Sequence, residues 1–399
     1  MASSNLSNPW HARPDLVALW LADFIVAQMR QVRPNYAAPE HFSGLNLNRD
    51  EADIDSIELI DVASALYVAL DAEASGSLNS VPLGRTFASW CAFVQYAAAR
   101  TEVLSFYTSG STGKPRRVEH LVCDLDAEIH DFLPQLCAGG IAPKRIVTVL
   151  PSQHLYGFLF GILLPAQLNL PVLALKGQTA QVVRARLQPG DALLAHPMFF
   201  IGALQPEAAS NATKIIWPAP LLGISSGQAL PDVIFERARI QQIRVLEIYG
   251  STETAGVAWR DAPGPMQLMA RYGLSASGHL NDQYHRGRAV AAPDQLEQTH
   301  DGRLRVLARH DRVVQVAGVN VHLERVERAI RAVAEVSAVR VCLDCDTQRL
   351  SAWLVAGQLD EATLRRQLQA QLSSAEMPTR WHFVSAFPDA GGWKGSQAA

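Results

Sequence analysis

The chain has 399 residues, 48% of them hydrophobic and 18% charged, enough apolar content to bury a sizeable core in more than one domain. Thirty-five basic residues against 38 acidic ones leave a formal charge of -3, so charge gives no reason to expect a nucleic acid or an anionic membrane as partner, and a small-molecule substrate is expected. No apolar run approaches the roughly 20 residues of a membrane span, MASSNLSNPWHARPD lacks the basic-then-apolar pattern of a signal peptide, and five scattered cysteines do not read as a disulfide framework; a cytoplasmic protein is expected.

In chain order, residues 1–100 read as a helical domain. PDLVALWLADFIVAQMRQV has apolar residues at helical spacing, and a second amphipathic run begins at DIDSIELIDVASALYVAL, where Asp55 and Glu58 form the two halves of a capping box. A loop with Gly76, Pro82 and Gly84 leads to a third helix, RTFASWCAFVQYAAAR. After Thr101 the texture changes to strand-like runs, VLSFY, RIVTVLP, LPVLAL, ALLAHPMF, TKIIWPAP and RVLEIYG, several separated by helical stretches such as CDLDAEIHDFLPQLC. Apolar strands alternating with helices predict a largely parallel sheet covered on both faces. From about residue 300, RLRVLARHDRVVQVAGVNV predicts strands, LERVERAIRAVAEV a helix, VRVCLD and LSAWLVAG strands, DEATLRRQLQAQL a helix and HFVSAF a last strand. Cys342 and Cys345 form a CxxC inside VRVCLDC with no second pair nearby, which reads as two incidental thiols. The expected fold class is thus α/β: an N-terminal helical bundle (1–100), a central, largely parallel sheet with helices on both faces (101–308), and a small mobile C-terminal α+β lobe (309–399).

At the end of the run VLSFY lies YTSGSTGKP, residues 107–115, with the glycine, hydroxyl and lysine content of a phosphate-gripping loop. It is not a Walker loop: the position five before Gly113 holds Thr108 instead of glycine, and Pro115 follows the lysine where Ser or Thr is needed. Small residues nevertheless let backbone N–H groups close around an anion, with hydroxyls and Lys114 adding donors and charge. Further segments follow in order: LPSQHLYGF, SSGQALP, EIYGSTET, ARHDRVVQVAG and FPDAGGWKG.

On these motifs the sequence resembles the adenylate-forming superfamily of acyl- and aryl-CoA synthetases, peptide-synthetase adenylation domains and luciferases, over roughly residues 103–394. The resemblance implies ATP and Mg²⁺ as cofactors and a role for each matching residue. Thr108, Ser109, Gly110, Ser111, Thr112, Gly113 and Lys114 would grip the β- and γ-phosphates. In Tyr249, Gly250, Ser251, Thr252, Glu253 the tyrosine would stack on adenine, Thr252 would contact the α-phosphate, and Glu253 would help hold Mg²⁺, a cation that wants oxygen ligands. Ser226 and Gly227 would lie along adenine and the acyl pocket, and His154 beside the acyl carboxylate. Asp294 would take both ribose hydroxyls, although Ala292-Pro293 replaces the usual Thr-Gly before it, and Arg309 would contact ribose or phosphate. Asp311 and Arg312 would form the hinge of the C-terminal lobe. Lys394 would reach the α-phosphate during adenylation, in a segment that departs from the family pattern because Trp393 stands between glycine and lysine; a frayed tail lysine is the alternative.

The expected reaction is ATP-dependent activation of a small carboxylic acid to an acyl-adenylate, then transfer to a thiol, either coenzyme A or the phosphopantetheine of a separate acyl carrier protein. Analogy with bacterial aryl-pigment and polyketide ligases favours an aromatic acid such as a hydroxybenzoate. The N-terminal region itself resembles an acyl carrier protein, with Ser56 of Asp55-Ser56-Ile57 at the position that would carry phosphopantetheine; the alternative is that Asp55 and Ser56 only cap a helix. A self-loading enzyme and a non-catalytic nucleotide-binding scaffold therefore stand beside the ligase reading.

Overall fold

The computed structural model describes residues 9–48, 52–73, 86–108, 116–138, 142–204, 217–275, 279–309, 313–317, 319–344, 347–357 and 359–384. Three helices come first: α1 (Pro14–Val32), α2 (Ser56–Ala69) and α3 (Phe87–Ala98). Pro14 opens α1, where a missing N–H costs nothing. Asp55 caps α2, accepting from the Ile57 and Glu58 amides while the Glu58 side chain returns to the Asp55 amide, the capping box that the sequence predicts. Leu16, Val17, Trp20, Leu21, Phe24, Ile25 and Met29 form the buried face of α1. This face does not close a core of its own. Trp10 packs edge-on against Phe158 at 5.3 Å, and the same apolar cluster runs through Leu104, Phe106 and Phe160 of the region that follows.

β1 (Val103–Thr108) and β2 (Arg116–Leu121) form an antiparallel hairpin, with Thr108 paired to Arg116 across residues 109–115. The sequence places VLSFY among the parallel strands; the structure puts it outside the main sheet, because its partner is the strand leaving the loop. α4 (Val122–Cys137) leads into β3 (Arg145–Thr148), and a continuous helical stretch follows: α5 (Leu155–Phe158), a π-turn (Leu159–Leu163) and α6 (Leu164–Gln167). Then come β4 (Val172–Ala174), α7 (Ala180–Arg186), β5 (Asp191–Ala195), α8 (Pro197–Ala203), β6 (Leu221–Ser226), α9 (Asp232–Ile240), β7 (Ile243–Ser251), β8 (Ala255–Arg260) and β9 (Gln267–Leu268).

Their seven-stranded sheet has the order β4-β3-β5-β6-β7-β8-β9, parallel from β4 to β7 and antiparallel beyond. β5 is buried at every position and carries the near-continuous apolar run of a strand covered on both faces. Two readings change here. HPMF, taken as the end of a strand, instead opens α8, because Pro197 fits a helix start and the His196 ring accepts from the Phe199 amide. In TKIIWPAP the described residues 217–220 form no strand, and LLGISS, residues 221–226, supplies β6 instead.

Short pairs follow: β10 (Tyr272–Leu274), β11 (Leu280–Asp282) and β12 (Arg288–Val290) in one sheet, then β13 (Asp294–Gln298) with β14 (Leu304–Arg309). The C-terminal lobe comprises β15 (Val313–Val316), β16 (Val319–His322), α10 (Leu323–Arg331), β17 (Val336–Asp344), β18 (Arg349–Ala356), α11 (Glu361–Leu368) and β19 (Arg380–Phe383). Its core, built on Val326, Ile330, Leu350, Leu354, Leu364 and Leu368, is separate from the others. No helix among the described residues is long and apolar enough to cross a membrane.

Candidate functional site

Parallel strands bring their C-terminal ends to one edge of a sheet, where open α/β folds bind ligands. Here that edge collects three of the sequence motifs. His154 follows β3 and stands at the N-cap of α5; Ser226 and Gly227 end β6; Tyr249 to Ser251 end β7. In the β6–β7 register Ser225 lies opposite Glu247 and Ser226 opposite Ile248, whose carbonyl accepts from the Ser226 hydroxyl at 2.8 Å. Gly227 has φ +95°, a conformation that glycine adopts freely, and it turns the chain off the strand. Buried Glu247 then accepts from the Leu230 amide at 2.7 Å and from Arg260, fixing the SSGQALP loop from behind. Burial pushes the Glu247 carboxyl up from its ordinary range and the Arg260 guanidinium works against that.

The YGSTET turn is held just as firmly. A Cβ on Gly250 would lie 2.1 Å from the Ala255 carbonyl oxygen, so only glycine fits. The Ser251 amide donates to Thr254 Oγ1 at 3.0 Å, and the Glu253 and Thr254 amides each donate to Ser251 Oγ at 3.2 Å. From outside the turn, His120 of β2 donates through Nε2 to the Thr252 carbonyl at 2.6 Å, and the Tyr272 hydroxyl donates to the Thr254 carbonyl. Burial lowers the His120 pKa, consistent with a neutral ring whose Nε2–H faces the carbonyl. Behind the turn, fully buried Glu128 of α4 accepts from the Gly256 amide at 2.9 Å, and desolvation pushes its carboxyl up to about 8. The result is a rigid tip on which Thr252 and Glu253 stand half-buried.

Tyr249 and Asp294 meet directly. The tyrosine hydroxyl donates to Asp294 Oδ2 at 2.7 Å, with Asp294 buried at the start of β13 and paired in register with Arg309 at the end of β14. Tyr249 and Asp294 are thus joined through their side chains and Asp294 and Arg309 through strand pairing, although 60 positions separate Tyr249 from Arg309. The C-terminal lobe approaches at β15, where Gln228 donates its amide to the Gln315 carbonyl.

At His154 the ring is accessible at the rim of a cavity of about 70 Å³ lined also by Trp20, Phe24, Gln153 and Tyr107. Surrounding protein lowers its pKa, opposed by the charge of Asp23. Ser109, Gly110, Ser111, Thr112, Gly113, Lys114, Asp311, Arg312, Cys345 and Lys394 lie outside the described residues, as do the side chains of Thr108 and Arg309. Among the described residues no cluster of three or more His, Cys, Asp or Glu forms a metal cage. A carboxylate such as Glu253 on a fixed turn fits Mg²⁺ all the same, since that cation commonly takes one or two carboxylates together with substrate phosphates.

His120, Glu128, Tyr272 and Asp23 are not evident from the motifs. Their signal was present but faint: a histidine at an inward position of a strand, and an acid in the otherwise apolar face of a helix.

This fold, with its motif residues gathered at the strand ends, fits a nucleotide-binding α/β enzyme. The model of the family described as AMP-binding enzyme matches residues 49–280, and the chain belongs to that family. Over 393 residues it is 29% identical to the 4-coumarate–CoA ligase of Rhodobacter capsulatus, covering 94% of this chain and 97% of the relative. It is 25% identical to the p-hydroxybenzoic acid–AMP ligase of Mycobacterium marinum, covering 71% of this chain and 46% of that one. Among solved structures the amide bond synthetase McbA from Marinactinospora thermotolerans shares the fold, with a TM-score of 0.57 at 16% identity, covering 94% of this chain and 91% of that one.

Proposed function

We propose that the protein is an AMP-forming acid–thiol ligase: it activates a small aromatic carboxylic acid with ATP and passes the acyl group to a thiol. The observation that carries this reading is the Tyr249–Asp294 bond beside the fixed YGSTET turn, in a chain of the AMP-binding enzyme family. Asp294 and Tyr249 hold the nucleoside, the Thr108–Lys114 loop and Arg309 the phosphates, and Ser226 and Gly227 the floor between adenine and acid. Glu253 would hold Mg²⁺, which when bound offsets phosphate charge.

A carboxylate oxygen of the acid attacks the α-phosphorus, the bond to the bridging oxygen breaks, and pyrophosphate leaves. Lys394 stabilises the charge that grows in that step, and His154 stands beside the carboxylate; the protein mainly positions the reactants. The thiol sulfur then attacks the acyl carbon and gives up its proton to solvent, and AMP leaves with the electron pair of the broken C–O bond. A relative named for 4-coumarate and one named for p-hydroxybenzoic acid support an aromatic acid. In the helical stretch after His154 the Tyr156 and Phe160 rings lie 5.5 Å apart, and the buried Tyr156 hydroxyl has no partner among the described residues. Coenzyme A is the acceptor we favour over a separate carrier protein, since the first relative is named as a CoA ligase. Ser56, exposed beside the Asp55 capping box, acts as a helix-start residue, and the three N-terminal helices serve the cytoplasmic ligase as part of its body.

The test is product identity. Incubation with MgATP, 4-coumarate or 4-hydroxybenzoate, and coenzyme A should yield the aroyl or cinnamoyl thioester by mass spectrometry, with the protein's own mass unchanged. Acyl transfer to the chain itself would favour the self-loading reading instead.

A further inference from the structure

α1 lies outside the span that the family model matches, yet it reaches the proposed acid site. Its buried face is apolar except for Asp23, which is 7% exposed. A carboxylate so placed is costly unless bonded on its open sides. All its partners lie more than a hundred positions away. Asp23 Oδ2 accepts from the Ser152 amide at 2.7 Å and from the Ser152 hydroxyl at 2.6 Å, and Lys176, just past β4, pairs with Oδ1.

Ser152 stands two residues before His154, so these bonds fix the main chain that delivers the ring. The segment is pinned from its other side too. A Cβ on Gly157, in the first turn of α5, would lie 2.1 Å from the Pro151 carbonyl oxygen, so a shift of Pro151 or Ser152 is passed straight to the helix that His154 caps. α1 also supplies Trp20, Phe24 and Gln28 to the cavity shared with His154, which reaches Tyr107 at the entry to the phosphate loop.

We propose that Asp23 is a positioning residue for the reaction, holding the Pro151–His154 segment so that His154 meets the acid's carboxylate, and that α1 is thereby a working part of the site. This rests on the ligase reading of His154 given above. A salt bridge that only fastened two elements would need no bonds to the Ser152 main chain. Those bonds are directional, and they fall where a small displacement is most felt.

The experiment uses the full chain and the aryl acid that the wild type turns over. Asp23→Ala should lower kcat/KM for the acid by about ten- to a hundredfold, the scale of an ångström of misplacement, with the Kd for ATP within about twofold. Asp23→Asn keeps an acceptor for the Ser152 amide and should recover most of the loss, although its amide nitrogen then faces Lys176. An unaltered acid kcat/KM in folded Asp23→Ala, a parallel fall in ATP affinity, or no rescue by Asp23→Asn would each overturn the inference. Should Asp23→Ala not fold, Ser152→Ala carries the test: a selective loss of about three- to tenfold, the scale of one hydrogen bond, supports it and no loss sinks it. A wild type that binds ATP but turns over no acid removes the ligase reading and this inference together, whereas an active wild type with normal variants removes the inference alone.

Discussion

Replacing Tyr249 by Phe removes one oxygen and leaves the ring that would stack on adenine. The lost bond runs at 2.7 Å to a carboxylate that is 9% exposed, so it is charge-assisted and poorly replaced by water. Hydrogen bonds to charged groups contribute about 1.5–3 kcal/mol, which corresponds to a factor of about ten to a hundred in an equilibrium constant. On the proposed reading Asp294 would accept from the ribose hydroxyls, and losing the Tyr249 bond, which helps orient its carboxylate, should weaken that contact. The variant should therefore bind ATP about tenfold or more weakly with kcat little changed, because the contact is the same in ground and transition states. The decisive assay is calorimetric affinity for ATP and for 2′,3′-dideoxy-ATP. Wild type should discriminate strongly, Tyr249→Phe less, and Asp294→Ala hardly at all. A discrimination ratio identical in wild type and Tyr249→Phe would refute the reasoning.

Glu128 gives a pH signature of stability. Its folded pKa, raised to about 8 from 4.5, means that the folded chain holds a proton which the unfolded chain has lost between those values, so stability falls as pH rises through that window. Glu128→Gln keeps an acceptor for Gly256 and should flatten this slope by up to about 1.4 kcal/mol per pH unit, measured by urea denaturation at pH 5, 6.5 and 8; an unchanged slope would count against a buried, protonated carboxyl. Gly250→Ala pushes a methyl group to 2.1 Å from a carbonyl oxygen, so nucleotide binding should vanish and thermal stability drop by about 2–4 kcal/mol or more; a variant of normal affinity would contradict the turn geometry. Lys394→Ala should slow adenylation by orders of magnitude with the Kd for ATP nearly intact, read by stopped-flow pyrophosphate release, and a normal rate would make Lys394 a tail residue.

Much of this architecture can be read from local sequence. The capping box of α2, the helical period of α1 and α3 and the apolar run of β5 are all short-range patterns, and each appears where its residues dictate. The β1–β2 hairpin was less legible, because a strand's own residues do not say which strand it pairs with, and the next strand lies across residues 109–115. LLGISS is left unassigned in the sequence, where only its last two residues enter a motif, SSGQALP; its pairing between β5 and β7 makes it a strand. For the site, the YGSTET residues stand out through motif order and Asp294 through its place in the series, and the structure sets the Tyr249 hydroxyl on Asp294. His120, Glu128 and Asp23 act through partners more than a hundred positions away, an arrangement that only the folded chain reveals.

On the proposed function, this strand-end site joins a carboxylate to AMP. Pyrophosphate release from MgATP across a panel of aryl and fatty acids, with and without coenzyme A, tests it most directly. Release should depend on an aryl acid, become catalytic when coenzyme A is present, and be absent with fatty acids. ATP bound normally with no acid-dependent release from any member of the panel would contradict it.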